Sequence, residues 1–321
     1  MPGKLKAVAT AGYTQVVSRD HPGLDALGSP QIAKDHDLQP LKDFLSRAIE
    51  GMRFRSLTLV LLGLIACAIE ARADDNSDSN SSNNPVAPKL TLEYWNYYAT
   101  SLNQLNGDAE NGEGRVLIPF KVNGIQQVFH VDPSIVTAPA ATSGPRTGLG
   151  ATQIYNFTLT TQDVGLPEKV TFGIGPLVAV PTATSTNFAP DSLQGGAAGA
   201  IIAPQSWGLL GVLVTYQHTL WGASSQLITV QPNIFYNMAN GFYLRSSGIM
   251  QFNTYSHSDV VPIGFGAGKV IKLDGGYVLN VYAEAQPSVY RSGVGAPNFQ
   301  VFTGIKLQFP AGVTSNWNIN F

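Results

Sequence analysis

His130, Asp132 and Ser134 stand at i, i+2 and i+4. A hydroxyl nucleophile, a base and an acid that orients it are the parts of an acyl-transfer site, so the trio invites a lipid- or ester-hydrolase reading. On an extended strand this spacing aims all three side chains at one face. Alternate residues on a strand sit about 6.6 Å apart, whereas proton transfer needs heavy atoms within about 3 Å. A polar row wetted by water explains the trio better, and no enzyme activity is expected. No Gly-x-Ser-x-Gly elbow is present, and the glycine-rich runs lack the Lys-Ser/Thr of a phosphate loop. His218 reads as an interfacial residue and His257 as a loop residue beside Asp259. Neither belongs to a ligand cluster with metal spacing, so no metal and no cofactor is expected.

Such a row needs strands to carry it, and from Leu90 the sequence runs with a period of two. Ile228, Val230, Ile234 and Tyr236 alternate with Thr229, Gln231, Asn233 and Asn237. Tyr277, Leu279, Val281, Ala283 and Val289 alternate with Asn280, Glu284, Gln286 and Ser288. Phe299, Val301, Ile305, Leu307 and Phe309 do the same against Gln300, Lys306 and Gln308. A period of two places each set on one face of a strand. The rows read as twelve strands: 90–101, 115–122, 125–136, 152–162, 169–182, 197–205, 208–221, 226–237, 241–255, 260–273, 276–290 and 298–309. Most are longer than the five or six residues of a usual globular strand and match the nine to eleven of a tilted membrane-spanning one. Trp207, Trp221, Tyr236, Phe242, Tyr255, Tyr277 and Tyr290 end apolar rows, as interfacial girdles do. Asn123-Gly124, Ala239-Asn-Gly241 and Asp274-Gly-Gly276 are tight-turn signals. The longer polar connections at 103–114, 137–151, 183–196 and 291–297 all fall at the opposite end.

Composition agrees. Of 321 residues, 44% are hydrophobic and 12% charged, and there is one cysteine. That charge content is about half the usual, and a single cysteine excludes a disulfide scaffold. A net charge of −2 gives no footprint for nucleic acid. The mean hydropathy of +0.05 is high for a chain with no bilayer-length apolar run. The expected fold class is all-β: an antiparallel transmembrane outer-membrane β-barrel of about twelve strands spanning 90–310.

Ahead of the barrel, Met52-Arg-Phe-Arg55, Leu57–Ala66 and Ala71-Arg-Ala73 have the basic, apolar and small-residue parts of an export signal. Residues 52–73 are therefore read as a signal peptide, and 1–51 as a spurious or extra N-terminal extension. Leu64-Ile-Ala-Cys67 offers a competing lipobox. Residues 74–89, rich in Asn and Ser, read as a flexible linker, and 311–321 as a C-terminal tail.

The residues expected to line the lumen are Arg115, Lys121, His130, Asp132, Arg245, Gln251, Asn253, Asn280, Glu284, Lys306 and Gln308. Glu284 and Lys306 are expected to pair across a hairpin. Both signs of charge appear, so no ion preference follows. Lys269 falls on an apolar row, and Gly264, Gly266 and Gly268 are candidates for a bulge that would turn it inward.

Several segments resemble a family of outer-membrane proteins associated with the meta pathway of phenol degradation, some of whose members carry the label "neuromedin U". The matching pieces are Thr147–Gln153, Gly175–Thr184, Val261–Lys269, Tyr277–Asn280 and Phe299…Phe309-Pro310. Ala151 stands where relatives usually have Asp, and the chain runs on past Pro310. The resemblance implies a porin-like barrel in the outer membrane of a Gram-negative bacterium that transports small molecules, with aromatic or apolar nutrients suggested by the association. It brings no established catalytic residues. The expected partners are outer-membrane lipid, the barrel-assembly machinery and a small-molecule solute. A barrel of twelve strands lies between the filled eight-stranded and the open sixteen-stranded kinds, so side chains or loops are expected to restrict passage.

Overall fold

A computed structural model describes residues 5–10, 13–18, 76–139, 146–166, 169–314 and 317–319. The signal-peptide segment, the Cys67 lipobox and most of 1–51 lie outside the described residues. Within 1–51, Leu5–Thr10 and Tyr13–Ser18 pair as an antiparallel hairpin.

Residues 91–308 form a closed antiparallel β-barrel of twelve strands. They are β1 (Thr91–Leu102), β2 (Ala109–Val122), β3 (Ile125–Asp132 and Ser134–Thr137), β4 (Thr147–Leu149 and Thr152–Gln162), β5 (Val170–Val180) and β6 (Ser192–Gln205). They continue as β7 (Gly208–Gly222), β8 (Gln226–Asn237), β9 (Phe242–Ser246 and Met250–Asn253), β10 (Ser258–Pro262 and Phe265–Lys272), β11 (Val278–Arg291) and β12 (Pro297–Gln308). Each strand pairs with its sequence neighbours, and β12 returns to pair with β1 from Gln308↔Thr91 to Pro297↔Leu102. Closure leaves no edge, so backbone donors and acceptors are satisfied within the ring.

The sequence rows sort cleanly between the two faces. Leu210, Val214, Tyr216, Ile234, Tyr236, Leu244 and Ile305 point outward and are exposed. Their neighbours Gln217, Thr229, Gln231, Asn233, Arg245 and Lys306 point inward and are buried. A two-sheet sandwich would bury the apolar set, so this inversion decides for a barrel whose outside is greasy. Trp207 stacks on Tyr236 at 6.1 Å and Tyr277 meets Phe309 edge-on at 5.4 Å, both at the end with the short turns. Trp221, Tyr255 and Tyr290 are exposed at the loop end.

Three boundaries differ from the sequence reading, β4 beginning at Thr147 and not at 152. β2 begins at Ala109, because Glu110–Gly114, read as loop, continues the ladder with β1 from Ala99↔Ala109 onward. β6 begins at Ser192, its glycines and alanines forming strand against β7 and β5. Four strands, β3, β4, β9 and β10, are each split in two. Pro133, with no N–H, splits β3. In β9 the amide of Ser247 donates to Glu284 Oε1 at 2.9 Å. In β10, a Cβ on Gly264 would collide with the same carboxylate, so only glycine fits beside it.

Lys269 stays on the outward row. The pairing of β10 with β11 is continuous from Phe265↔Ala285 to Lys272↔Val278, so the suggested bulge is not formed. Its ammonium sits 4.6 Å from the centroid of the Phe242 ring, which covers it instead.

Residues 76–89 are not a flexible linker. Asn76–Asn83 form a helix, α1. Ser79, Ser82, Asn83, Val86 and Ala87 are buried inside the barrel at the turn end. Asn80 Nδ2 donates to the Gln205 carbonyl at 2.9 Å, and Asn237 Nδ2 donates to Asn80 Oδ1 at 2.9 Å. The composition that reads as linker in water finds partners on a polar inner wall. At the tail, Asn318–Ile319 adds a short parallel pairing to Lys121–Val122.

Gly304 faces Tyr282 so closely that a Cβ would overlap the phenol ring. Gly304→Val is expected to displace Tyr282 and destabilise the barrel by about 1–3 kcal/mol. Urea unfolding followed by tryptophan fluorescence measures it; unchanged stability would show that the ring has room elsewhere.

Candidate functional site

The inner wall is built around one guanidinium. β1, β2, β3 and β4 place Glu93, Arg115, Asp132 and Tyr155 side by side through the register Glu93↔Arg115 and Asp132↔Gln153. Arg115 Nε lies 3.0 Å from Asp132 Oδ2, and Arg115 Nη2 donates to the Tyr155 hydroxyl at 2.7 Å. Tyr155 in turn donates to Asp132 Oδ2 at 2.6 Å. Arg115 Nη1 is 3.5 Å from Glu93, and the guanidinium lies 3.7 Å above the Trp95 ring. Planar Arg serves a carboxylate on each side and an aromatic face at once, which Lys cannot.

Glu93 connects this hub to the closing seam. Lys306, its register partner across β12, is 3.4 Å away, and the Tyr282 hydroxyl donates to it at 2.7 Å. Nearer the loop end, Arg245 pairs with Glu284 at 2.8 Å and lies 3.8 Å over Tyr282. Ser247 and Gln286 complete the shell of Glu284, donating at 2.8 and 2.9 Å. Glu284 and Lys306 therefore do not pair with each other. Glu284 stands opposite Phe302 and Lys306 opposite Asn280, two inward positions apart on their strands.

Of the residues expected in the lumen, Arg115, His130, Asp132, Arg245, Gln251, Asn253, Asn280, Glu284, Lys306 and Gln308 are buried on the inner face. Lys121 is not: it shares the inward row but is exposed at the turn-end rim, where its amide bonds the Trp317 carbonyl. Asn253 is occupied with the turn above it, accepting from the amides of Tyr255 and Ser256. Asn280 holds α1, donating to Ser82 Oγ at 3.1 Å and Asn83 Oδ1 at 3.0 Å. Lys306 donates to the Ser82 carbonyl at 3.0 Å.

The hydrolase trio does not assemble. Ser134 Oγ donates to the Ala151 carbonyl at 2.9 Å, and Asp132 is held by Arg115 and Tyr155. The His130 ring stacks on Tyr155 at 4.5 Å, and neither of its nitrogens has a hydrogen-bond partner. Among the described residues no group of His, Cys, Asp and Glu has metal-binding geometry.

Two inner residues that the sequence reading missed are Glu93 and Glu113. Glu93 lies in Glu93-Tyr-Trp-Asn-Tyr-Tyr98, where both faces carry polar and aromatic atoms and hide the alternation. Glu113 lay in the stretch taken for a loop. It lines a cavity of about 40 Å³ with Arg115, Asp132, Trp95 and Tyr155, and Pro85 beyond α1 forms part of the wall. At the loop end the 181–191 connection turns inward, burying Phe188 and Ala189 against Val136 and Ala138. On the outer face a separate apolar groove of about 840 Å³ is lined by Ile174, Ile201, Val212 and Val214.

The chain matches no family model, and no curated protein matches it in sequence. Its fold is similar to that of the COG4313 outer membrane channel from Pseudomonas putida F1, with a TM-score of 0.50 and 12% identity over 70% of this chain and 97% of that one. A KdgM porin solved in complex with disordered oligogalacturonate aligns at a TM-score of 0.36 and 11% identity, over 68% of this chain and 98% of that one.

Arg115→Met is expected to leave Asp132 without its cation in the barrel wall and to cost about 3–5 kcal/mol. Adding Asp132→Asn should recover part of that loss. Urea unfolding of the two variants checks it; equal stability of Arg115→Met and the unaltered protein would mean that water replaces the guanidinium freely.

Proposed function

We propose that the chain is a channel of the bacterial outer membrane that passes small molecules by diffusion, and that α1 with the residues up to Ala87 is its gate. The observation that carries this reading is the inversion of the barrel: charged side chains inside, exposed apolar side chains outside, and a polar segment held in the lumen through hydrogen bonds. The interior combines buried charged and polar side chains with a cluster of apolar and aromatic ones, among them Phe157, Leu177, Ile202, Leu209 and Phe302, and part of the filling at the turn end belongs to a separate segment. The outward rows suit lipid, and the turn end, where α1 enters, then faces the periplasm. Lipid of the outer membrane and the barrel-assembly machinery are the partners this reading entails. The meta-pathway resemblance favours aromatic or apolar nutrients as solutes.

Planar-bilayer recording tests the gate. The full chain should conduct little, and a variant lacking residues 76–87 should show discrete openings at least about tenfold more often, as displacing a plug that holds the closed state by a few kcal/mol requires. A folded barrel that stays silent without the plug would overturn the channel reading and favour a structural role. Val214→Arg, which puts a charge on the greasy face, should cost about 2–4 kcal/mol of stability in lipid vesicles if that row meets the bilayer; no loss would place the row in water.

A further inference from the structure

The charges inside the barrel do not balance. Among the described residues the buried carboxylates of the inner face are Glu93, Glu113, Asp132 and Glu284, and its buried cations are Arg115, Arg245 and Lys306; Lys269, also buried, lies on the outward row. Arg245 is taken by Glu284, Lys306 by Glu93, and Arg115 by Asp132 with a longer contact to Glu93. Glu113 is left over. It is 6% exposed, and its side chain makes no hydrogen bond or ion pair with any described residue. An unpaired carboxylate inside a protein is costly unless it takes up a proton or something supplies a donor or a cation.

The space beside it can hold that partner. The cavity of about 40 Å³ is lined by Glu113 and by Asp132, whose Oδ1 is buried without a hydrogen-bond partner. Two carboxylate residues thus line one small volume. Its remaining wall includes Thr215, Thr229 and Gln231 on the polar side and Leu213 and Ile249 on the apolar side. Arg115 is the cation nearest to both acids, but its fork is already engaged by Asp132, Tyr155 and Glu93 and its face by Trp95. A volume of this size takes about three water-sized atoms, since about 10–15 Å³ accommodates one. It fits the head of a primary ammonium group and excludes a ring.

We propose that the Glu113 cavity is a subsite of the lumen for the ammonium end of a small organic cation. The claim rests on the channel reading for its biological meaning and narrows the solute class. An amine-bearing solute would leave its –NH3+ donors with Glu113 and Asp132 and lay its apolar part along Leu213, Ile249 and Pro85. Pro85 ties the subsite to the gate, because a wall of the cavity belongs to the plug segment.

The test is calorimetric titration of the folded full-length barrel in detergent with ethylammonium chloride, with sodium acetate as the control. Binding of ethylammonium and none of acetate is expected. Glu113→Gln should weaken that binding at least about tenfold, as removal of one partner of a buried charge pair does, while Glu113→Asp should retain most of it. Heat-modifiable migration in gel electrophoresis shows that each variant is folded. No binding by the unaltered protein, equal binding by Glu113→Gln, or comparable binding of acetate would each overturn the proposal. Calorimetry does not need an open pore, so ethylammonium binding to a barrel that never conducts would end the channel reading and leave the subsite standing.

Discussion

The pairing of β12 with β1 makes this chain a barrel, and the ion pair between Lys306 and Glu93 lies on that seam. These two residues are direct register partners. The same ammonium holds the Ser82 carbonyl of the plug, and the same glutamate contacts Arg115. Closure of the ring, seating of the plug and order in the charged hub therefore meet at two side chains. Without closure the first and last strands would each present an unpaired edge, which a bilayer does not tolerate. Without the ion pair, the seam would bring a buried acid and a buried base together with nothing to offset their desolvation. The rest of the inner wall, from Arg115 to Asp132 and Tyr155, spreads from that seam strand by strand.

Much of this arrangement was legible in the amino-acid sequence because the two solvents of such a wall impose opposite demands at alternate residues. Where one face is purely apolar, as at Leu210, Val212 and Val214 or at Ile228 and Val230, the period of two is unmistakable. The inward partners followed from parity, and ten residues named on that basis are buried inside. Parity fails where the side chains of both faces are amphipathic. Tyr94, Trp95, Tyr97 and Tyr98 can serve either solvent, so Glu93 did not stand out. It fails again where glycine removes one row: in Asn111-Gly-Glu-Gly114 the outward positions Gly112 and Gly114 carry no side chain. Gly112 is bare because Tyr94 from β1 lies across it. Lys121 shows a third limit, since parity gives the face of a strand and not how far the wall extends.

Local composition also misjudged α1, for a related reason. Asn and Ser form poor helices in water because they bond their own backbone. In the lumen those side chains are met by Asn237, Asn280 and the Gln205 carbonyl, which compete for the same atoms. The rule that assigns such a stretch to a linker assumes bulk water on all sides. The Glu284–Lys306 pairing failed on distance: two side chains on adjacent strands meet only when they are opposite or one diagonal step apart.

The forces that hold the wall and the lumenal segment are of different kinds. The wall carries its charges in pairs, Arg115 with Asp132 and Arg245 with Glu284, and removing one partner strands the other. The plug is held mainly by hydrogen bonds between neutral groups, each worth about 0.5–1.5 kcal/mol net because water can replace either partner. Its one ion pair, Asp78 with Lys272 at 2.6 Å, is partly exposed and worth about 1 kcal/mol or less. Burial of Val86 adds about 1.5–3 kcal/mol, while ordering the segment costs about 1–2 kcal/mol per residue in backbone entropy. Opposed sums of that kind leave a small difference. Loss of a segment so held strands no charge in the ring around it, whereas loss of either partner in a hub ion pair leaves the other charge buried and unpaired.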